Sequence, residues 1–256
     1  MTMLRLERQG PLAVLTLDRP PANALNRDFF TEVGTVLPAL AAADVAAVVV
    51  TGTGRFFSAG LDLFEILTYR GAEASEFMAR FDDGFTGLFA LEKPVVAAVN
   101  GHAIAGGAVL AATADFRLVA EGDARIGLTE IQVGVPFPTS ALEVVRFSCA
   151  GPYLAELLYH GRIYAPADAR VRRLVDEVVP AADLLPRALA LAGELAAGAP
   201  ASFSASKRAL RAESLARIAA ARAAGEDPVW AVWRQPETRA AIEAFAARAI
   251  GARGRR

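Results

Sequence analysis

The sequence predicts an α/β fold, because apolar runs typical of buried strands alternate with segments of helical spacing. Of the 256 residues, 54% are hydrophobic and 21% are charged. This composition excludes disordered, collagen-like and coiled-coil classes. Strand patterns alternate with helical patterns up to about residue 140, and helical patterns dominate beyond it. This order is typical of a sheet covered by helices and followed by a helical region.

Four strands are predicted from apolar runs that end in turn residues. The run 12–17 lies between a Gly-Pro pair and the segment Asp-Arg-Pro-Pro. The runs 45–51 and 94–100 are continuously apolar, as in strands that are covered on both faces. A further strand is predicted at 116–120.

Helices are predicted where apolar residues recur three or four positions apart. These segments are 29–40, 75–91, 105–114 and most of the chain after Leu142. The tail has its own apolar set: Phe203, Leu210, Leu215, Ile218, Trp230, Trp233, Ile242, Phe245 and Ile250. We expect residues 1–198 to form an α/β core. Residues 199–256 would form a helical region that covers the core, reaches a neighbouring subunit, or both.

Charge and cysteine content exclude several partners. Lys and Arg number 27 and Asp and Glu number 28, so the net charge of −1 attracts neither nucleic acid nor an anionic membrane. The single cysteine, Cys149, rules out an internal disulfide. The uncharged stretch 94–114 has glycines in its middle and is expected to be a strand, a turn and a helix, not a membrane span. With no signal-peptide pattern at the start, we expect a cytoplasmic protein.

Several common active sites are excluded by the motifs they need. His102 and His160 are the two histidines, and no Gly-x-Ser-x-Gly elbow accompanies them. His102 lies in a glycine turn and is expected to be packed or solvated, although it could contact a ligand. The segment 101–107 lacks the Lys-Ser/Thr of a phosphate loop, and Phe57 breaks the dinucleotide fingerprint. We expect neither a metal site nor a separate cofactor.

Two glycine-rich turns each follow a predicted strand, and they suggest a site for a developing negative charge. The first is 51–63 and the second is 100–110. A turn that opens a helix presents unpaired N–H groups, and small residues let a ligand approach them. Two such groups that converge on one carbonyl oxygen form an oxyanion hole.

Seven short motifs follow one another in order along the chain. They are Asp18-Arg-Pro20, Asn23-Ala-Leu25, the segments 58–62 and 93–101, Ala105-Gly-Gly107, Ala114-Asp-Phe-Arg117 and the segment 126–134. Together they resemble the crotonase (enoyl-CoA hydratase/isomerase) superfamily over essentially the whole chain. The resemblance implies acyl-CoA thioester substrates and a spiral of ββα turns. It also implies a C-terminal helical region that supports trimers or dimers of trimers.

The resemblance also assigns site residues by position. It implies that the backbone N–H groups of Leu61 and Gly106 form the oxyanion hole. It implies that the segment after the first turn lines the thioester and pantetheine channel, with contacts from Ala59, Gly60, Leu61, Asp62 and Leu63. Arg55, just ahead of this turn, is a candidate partner for the phosphates of coenzyme A.

The carboxylates separate the activities within the superfamily. Hydratases carry two glutamates, and the matching positions here hold Val109 and Glu130. Adding water needs both water activation and proton delivery, whereas moving a double bond from C3–C4 to C2–C3 needs one base. The chain therefore resembles the Δ3,Δ2-enoyl-CoA isomerase branch most closely, with Glu130 as the base. Its apolar neighbours are expected to raise the pKa of Glu130 and make it a stronger base.

Two departures from that branch leave the pocket shape open. Thr129 stands where the isomerases carry Asn, and the segment 135–138 differs from theirs. One alternative is a hydratase or another thioester enzyme with a different second acid, for which Glu143 and Asp115 are candidates. The other alternative is a catalytically silent acyl-CoA-binding subunit. The tail's apolar set predicts a homo-oligomer, because so large a patch is not left in water.

Overall fold

The computed structural model describes residues 2–149, 151–225 and 227–253, without side chains after residue 248. It confirms the α/β class. The strands are β1 Leu4–Gln9, β2 Leu12–Leu17, β3 Ala47–Gly52, β4 Phe56–Ser58, β5 Val95–Val99, β6 His102–Ile104, β7 Phe116–Ala120, β8 Ile126–Gly127, β9 Ile163–Tyr164 and β10 Glu177–Val179. The helices are α1 Arg27–Ala41, α2 Leu63–Ile66, α3 Gly71–Ala90, α4 Gly106–Ala112, α5 Glu130–Val133, α6 Thr139–Ser148, α7 Leu154–His160, α8 Pro166–Val171, α9 Leu184–Ala196, α10 Pro200–Ala223, α11 Pro228–Trp233 and α12 Pro236–Arg253.

A six-stranded sheet in the order β1-β2-β3-β5-β7-β10 forms the larger layer. All neighbours are parallel except β1 and β2. Along β3, Val48 and Val50 pack into the main core, whereas Val49 packs on the opposite face with α9. The continuous apolar runs are therefore confirmed as strands with both faces covered.

The sequence patterns missed several strands for a physical reason. The strand β1 lies at the edge of the sheet and is largely exposed, so two leucines carry its only apolar signal. The strands β4, β6, β8 and β9 form a second sheet and contain only two or three residues each. Such short strands show no periodicity. The strand β10 likewise interrupts a region where only helices were expected.

The C-terminal helices pack onto the chain's own core. Trp230, Trp233 and Ile242 belong to the main hydrophobic cluster, and Asp115 pairs with two buried cations of α10. We expected the apolar residues of the tail to form a large solvent-exposed patch. This expectation is wrong for most of them, because other segments of the same chain cover their side chains. Leu210 stays 70% exposed. The side chain of Ile250 lies outside the described residues.

The uncharged stretch 94–114 contains the predicted strand β5 and the predicted helix α4, and the segment between them, expected to be a turn, also contains the short strand β6. No helix in the described ranges is long and apolar enough to cross a membrane. Over the same ranges, no group of three or more His, Cys, Asp or Glu side chains is placed to hold a metal ion.

Candidate active site

The second, smaller sheet brings three distant segments to one edge. Its strands β4, β6 and β8 are adjacent and parallel. Leu61, Gly106 and Glu130 each follow the end of one of these strands within three residues. Because the carboxyl ends of parallel strands lie on the same side, these three residues meet at one edge of the sheet.

The first turn holds Leu61 in a short bridge that leaves its own N–H free. Leu25 accepts from the N–H of Asp62 at 2.8 Å and donates to the carbonyl of Gly60 at 2.8 Å. In a parallel bridge of this kind, the N–H of Leu61 lies on the opposite edge. Among the described residues, no acceptor for the N–H of Leu61 or of Gly106 is found.

The second turn places the Gly106 amide close to the first turn. Ala105 has φ 50° and ψ −122°, an uncommon conformation for a residue with a Cβ, and its N–H donates to the carbonyl of Gly127 at 2.7 Å. Such a backbone conformation costs about 1–3 kcal/mol and persists because its surroundings impose it. Gly106 then begins α4, where the first N–H has no partner within the helix.

Close approach of the two turns explains why glycine stands at key positions. A Cβ on Gly60, whose φ is +82°, would lie 3.0 Å from the nitrogen of Gly106. A Cβ on Gly106 would lie 3.7 Å from the nitrogen of Leu61, an ordinary contact distance, so this position is close to the first turn without requiring glycine. A Cβ on Gly107 would lie only 2.2 Å from the carbonyl oxygen of Ser58. The turns therefore touch backbone to backbone, and both free amides fall within reach of one small acceptor.

Glu130 is the carboxyl group of this site. It is the first residue of α5 and is 7% exposed. Its Oε2 atom has no hydrogen-bond partner among the described residues. Burial raises the pKa of Glu130 from 4.5 to about 8, opposed only by a hydrogen bond from its own backbone N–H. A carboxylate that binds its proton this tightly is a competent general base near neutral pH.

A narrow cavity of about 80 Å³ connects Glu130 with the two amides. Glu130 is the one ionisable side chain among the described residues that line it. The other lining residues are apolar or small, apart from Thr129: Ala59, Leu61, Leu63, Phe81, Ile104, Ala105, Gly106, Val109, Val133, Val135, Phe137, Pro138, Ala141, Trp233 and Phe245. A carbonyl oxygen, an acidic carbon and a base could meet in this apolar space.

The structure brings together most, but not all, of the residues singled out from the sequence. Gly60 lies behind the cavity wall, where it contacts the second turn. The Asp62 carboxylate caps α2 and pairs with Arg19 at 2.8 Å, so it does not line the cavity. Arg55 is exposed in the turn before β4 and makes no ion pair with any described residue.

The two candidates for a second acid are engaged elsewhere. Glu143 is buried and pairs with Arg217 at 2.7 Å and Arg146 at 3.1 Å. Asp115 pairs with Lys207 at 2.8 Å and with Arg211 at 2.7 Å. Neither carboxylate lines the cavity. Both instead tie α10 to the core.

His102 also stays outside the cavity. Its ring packs edge-on against Phe56, with 4.9 Å between ring centroids. It lies beside the turns that form the site, but it is a packed histidine and does not line the space next to Glu130.

Several lining residues were not recognised from the sequence. Phe137 and Val135 belong to the segment that departs from the isomerase pattern, and this departure was the one signal that pointed to them. Trp233 and Phe245 were assigned to the tail's apolar set and instead reach the cavity from the C-terminal helices. Their approach depends on how the tail folds back, which no local pattern encodes.

Comparisons with known proteins agree with this architecture. A probable enoyl-CoA hydratase of Mycobacterium avium is 36% identical over 186 residues, which cover 72% of each chain. The short-chain-enoyl-CoA hydratase of Clostridium acetobutylicum is 35% identical over 210 residues, 80% of this chain and 79% of that one. The human mitochondrial Δ3-Δ2-enoyl-CoA isomerase is similar in fold, with a TM-score of 0.93 at 24% identity over 98% of this chain and 99% of that one.

The enoyl-CoA hydratase/isomerase family model matches residues 7–249. The order of the seven motifs and the two facing turns fit the same assignment. The chain is therefore an enzyme of the crotonase superfamily and belongs to the enoyl-CoA hydratase/isomerase family, whose chemistry acts on acyl-CoA thioesters.

Proposed function

We propose that this protein converts 3-enoyl-CoA to 2-enoyl-CoA, with Glu130 as the sole acid–base group and an oxyanion hole made by the N–H groups of Leu61 and Gly106. The observation that carries the proposal is that Glu130 is the single ionisable side chain among the described residues that line the cavity. Val109 occupies the position where a second carboxylate would stand, and the described residues nearby offer no replacement.

The geometry suggests how the proton moves. The thioester oxygen would accept hydrogen bonds from the two free amides. The ionised Glu130 would then take a proton from C2, and the electrons of that C–H bond would form a dienolate whose charge rests on the thioester oxygen. Glu130 would return the same proton to C4, which leaves the double bond between C2 and C3. One carboxyl group completes the cycle, and no water is consumed.

The apolar walls support this reaction in two ways. They keep Glu130 desolvated, which raises its pKa and its strength as a base. They also offer, apart from Thr129, no further polar side chain that could hold and activate the water that a hydratase must add. An amide hydrogen bond to the oxyanion is stronger in such a low-dielectric space than it would be in water.

Hydration of 2-enoyl-CoA is the second candidate function. It is favoured by the names of the two relatives, both hydratases. Such a reaction would have to activate water and deliver a proton through Glu130 alone. A catalytically silent acyl-CoA-binding subunit is the third candidate. In such a protein the unpaired, buried carboxylate of Glu130 would lower stability without serving any reaction.

A spectrophotometric comparison of two substrates tests the proposal. We expect the purified protein to isomerise 3-butenoyl-CoA and to leave the absorbance of 2-butenoyl-CoA, which falls on hydration, essentially unchanged. Efficient hydration would favour the second candidate and overturn the first. Binding of coenzyme A thioesters without any turnover would favour the silent subunit.

We further propose that the enzyme is a homo-oligomer, a trimer or a dimer of trimers, with residues 1–198 as its α/β core and residues 199–256 as its C-terminal helical region. An exposed apolar surface supports association: Ile131, Tyr159, Ile163 and Val171 are 50–77% exposed. Arg55 remains the proposed partner for the phosphates of coenzyme A. Light scattering that shows a stable monomer at micromolar concentration would contradict the oligomer.

A further inference from the structure

A second cavity, largely apolar and about 290 Å³ in volume, lies next to the catalytic cavity. Three helices line both spaces with neighbouring side chains. The pairs are Leu63 and Ile66 on α2, Phe81 and Met78 on α3, and Phe245 and Ile242 on α12. The two cavities therefore lie side by side along the same helices.

Trp233 is the one described residue that lines both cavities. Its indole Nε1 donates to the carbonyl of Pro136 at 2.9 Å. Its ring also packs against Trp230, with 5.4 Å between ring centroids. The side chain is 7% exposed. A hydrogen bond and a ring contact thus hold Trp233 as a fixed wall between the two spaces.

The volumes differ in the number of carbon atoms that they can hold. A cavity of roughly 150 Å³ accommodates a benzene ring, so the catalytic cavity of about 80 Å³ has room for about three or four carbons. By the same measure, the second cavity of about 290 Å³ has room for roughly twelve carbons. The reacting part of a short acyl group fills the first space, and a longer tail meets Trp233.

We propose that Trp233 sets the acyl chain length, so that the enzyme accepts short acyl groups and a smaller residue at this position opens the second cavity to longer ones. The inference rests on the proposed acyl-CoA reaction in the first cavity. The second cavity suits an alkyl tail, because Phe77, Met78 and Ile242 line it. Of its arginines, Arg70 and Arg239 donate to the backbone carbonyl of Leu67.

Binding of saturated thioesters tests the wall without requiring any turnover. Calorimetry would give the dissociation constants of butyryl-CoA and decanoyl-CoA for the parent protein, Trp233→Ala and Trp233→Leu. Each methylene that becomes buried tightens binding about fourfold. We expect the parent to bind decanoyl-CoA no more tightly than butyryl-CoA. In both variants, the affinity for decanoyl-CoA should increase at least about tenfold relative to the affinity for butyryl-CoA.

Ile242→Ala is the matched control, since it enlarges the second cavity and leaves the wall in place. Its ratio of the two dissociation constants should equal that of the parent. A variant counts as folded if it unfolds cooperatively and binds butyryl-CoA. The proposal is overturned if a folded Trp233 variant keeps the parent ratio, or if the parent itself binds decanoyl-CoA much more tightly.

A parallel assay of 3-butenoyl-CoA isomerisation separates this inference from the proposed function, because a four-carbon acyl group fits the first cavity whether or not Trp233 is a wall. Absence of isomerisation would contradict the proposed reaction. The ratio of the two dissociation constants would still decide whether Trp233 limits the acyl chain length. If both Trp233 variants fail to fold, the chain-length preference of the parent alone decides, because a wall at Trp233 requires that preference to favour butyryl-CoA or to be flat.

Discussion

Glu130→Gln removes the basicity of the proposed proton shuttle and keeps its size. If Glu130 is the only base in the cavity, isomerisation of 3-enoyl-CoA should fall by about 10²–10⁴. Coenzyme A affinity should change little, because the substitution leaves both amide donors and the cavity walls in place. Steady-state rates and the dissociation constant of a saturated thioester measure the two effects separately.

The pH dependence gives a second, quantitative signature. The base acts when it is ionised, and burial raises the pKa of Glu130 to about 8. At pH 7, only about one tenth of the free enzyme would carry the ionised form. The parent kcat/KM should therefore rise about tenfold per pH unit below pH 7 and level off above pH 8 to 9. The residual activity of Glu130→Gln should lack this rise.

Whereas kcat/KM should rise with pH, the free energy of unfolding should fall. The pKa of Glu130 is about 8 in the folded protein and 4.5 ordinarily, so the folded state holds the proton between these values. The free energy of unfolding should then fall as pH rises through this window, by up to about 5 kcal/mol. A buried glutamine amide lacks this titration but costs about 1–3 kcal/mol if it is left unpaired. Glu130→Gln should therefore be more stable than the parent at pH 9, and this advantage should vanish toward pH 5.

Glu143→Gln is the control, because Glu143 is also a buried glutamate but forms ion pairs outside the cavity. It should lose stability and keep the parent pH–rate profile. Two results would refute the reasoning: a folded Glu130→Gln protein that isomerises 3-enoyl-CoA at the parent rate, or a parent profile that is flat between pH 6 and 9.

Three further substitutions test the site. Val109→Glu places a second carboxylate in the cavity, so hydration of 2-enoyl-CoA should appear and the pH–rate profile should change shape. Absence of hydration in a folded variant would show that a carboxylate at this position is not sufficient. Gly106→Pro removes one amide donor and should lower kcat/KM by about 10²–10³. Gly106→Ala is its control, because it keeps the N–H and its Cβ would meet the nearest atom at 3.5 Å. Equal rates in the two variants, both shown by circular dichroism to be folded, would count against the oxyanion hole. Gly107→Ala places a Cβ 2.2 Å from the Ser58 carbonyl oxygen and should lower the free energy of unfolding by at least about 2 kcal/mol; an unchanged urea midpoint would contradict the close contact of the turns.

Local patterns in the sequence were enough to determine the frame of the fold. The runs 45–51 and 94–100 predicted strands covered on both faces, and the structure places them as β3 and β5 between two hydrophobic layers. Burial of a strand requires apolar residues on consecutive positions, so this information is contained in a short window. The residues at the two positions where the resemblance places the hydratase glutamates, Val109 and Glu130, are likewise known from the sequence.

The assembly of the site could be predicted only through the resemblance to a family. Leu61, Gly106 and Glu130 meet because β4, β6 and β8 pair side by side, and strands of two or three residues carry no pattern. The raised pKa of Glu130 likewise comes from burial by distant segments.

Only the tertiary structure shows which residues close the cavity and which partners bind the carboxylates of Glu143 and Asp115. Glu143 could have been a second acid until its two arginines were located, one of them on α10. Trp233 and Phe245 looked like an exposed apolar surface and proved to be cavity walls. In each case the partner lies many residues away in the chain. A side chain's type sets what it can bind or bury, but the partner that it meets depends on how the whole chain folds.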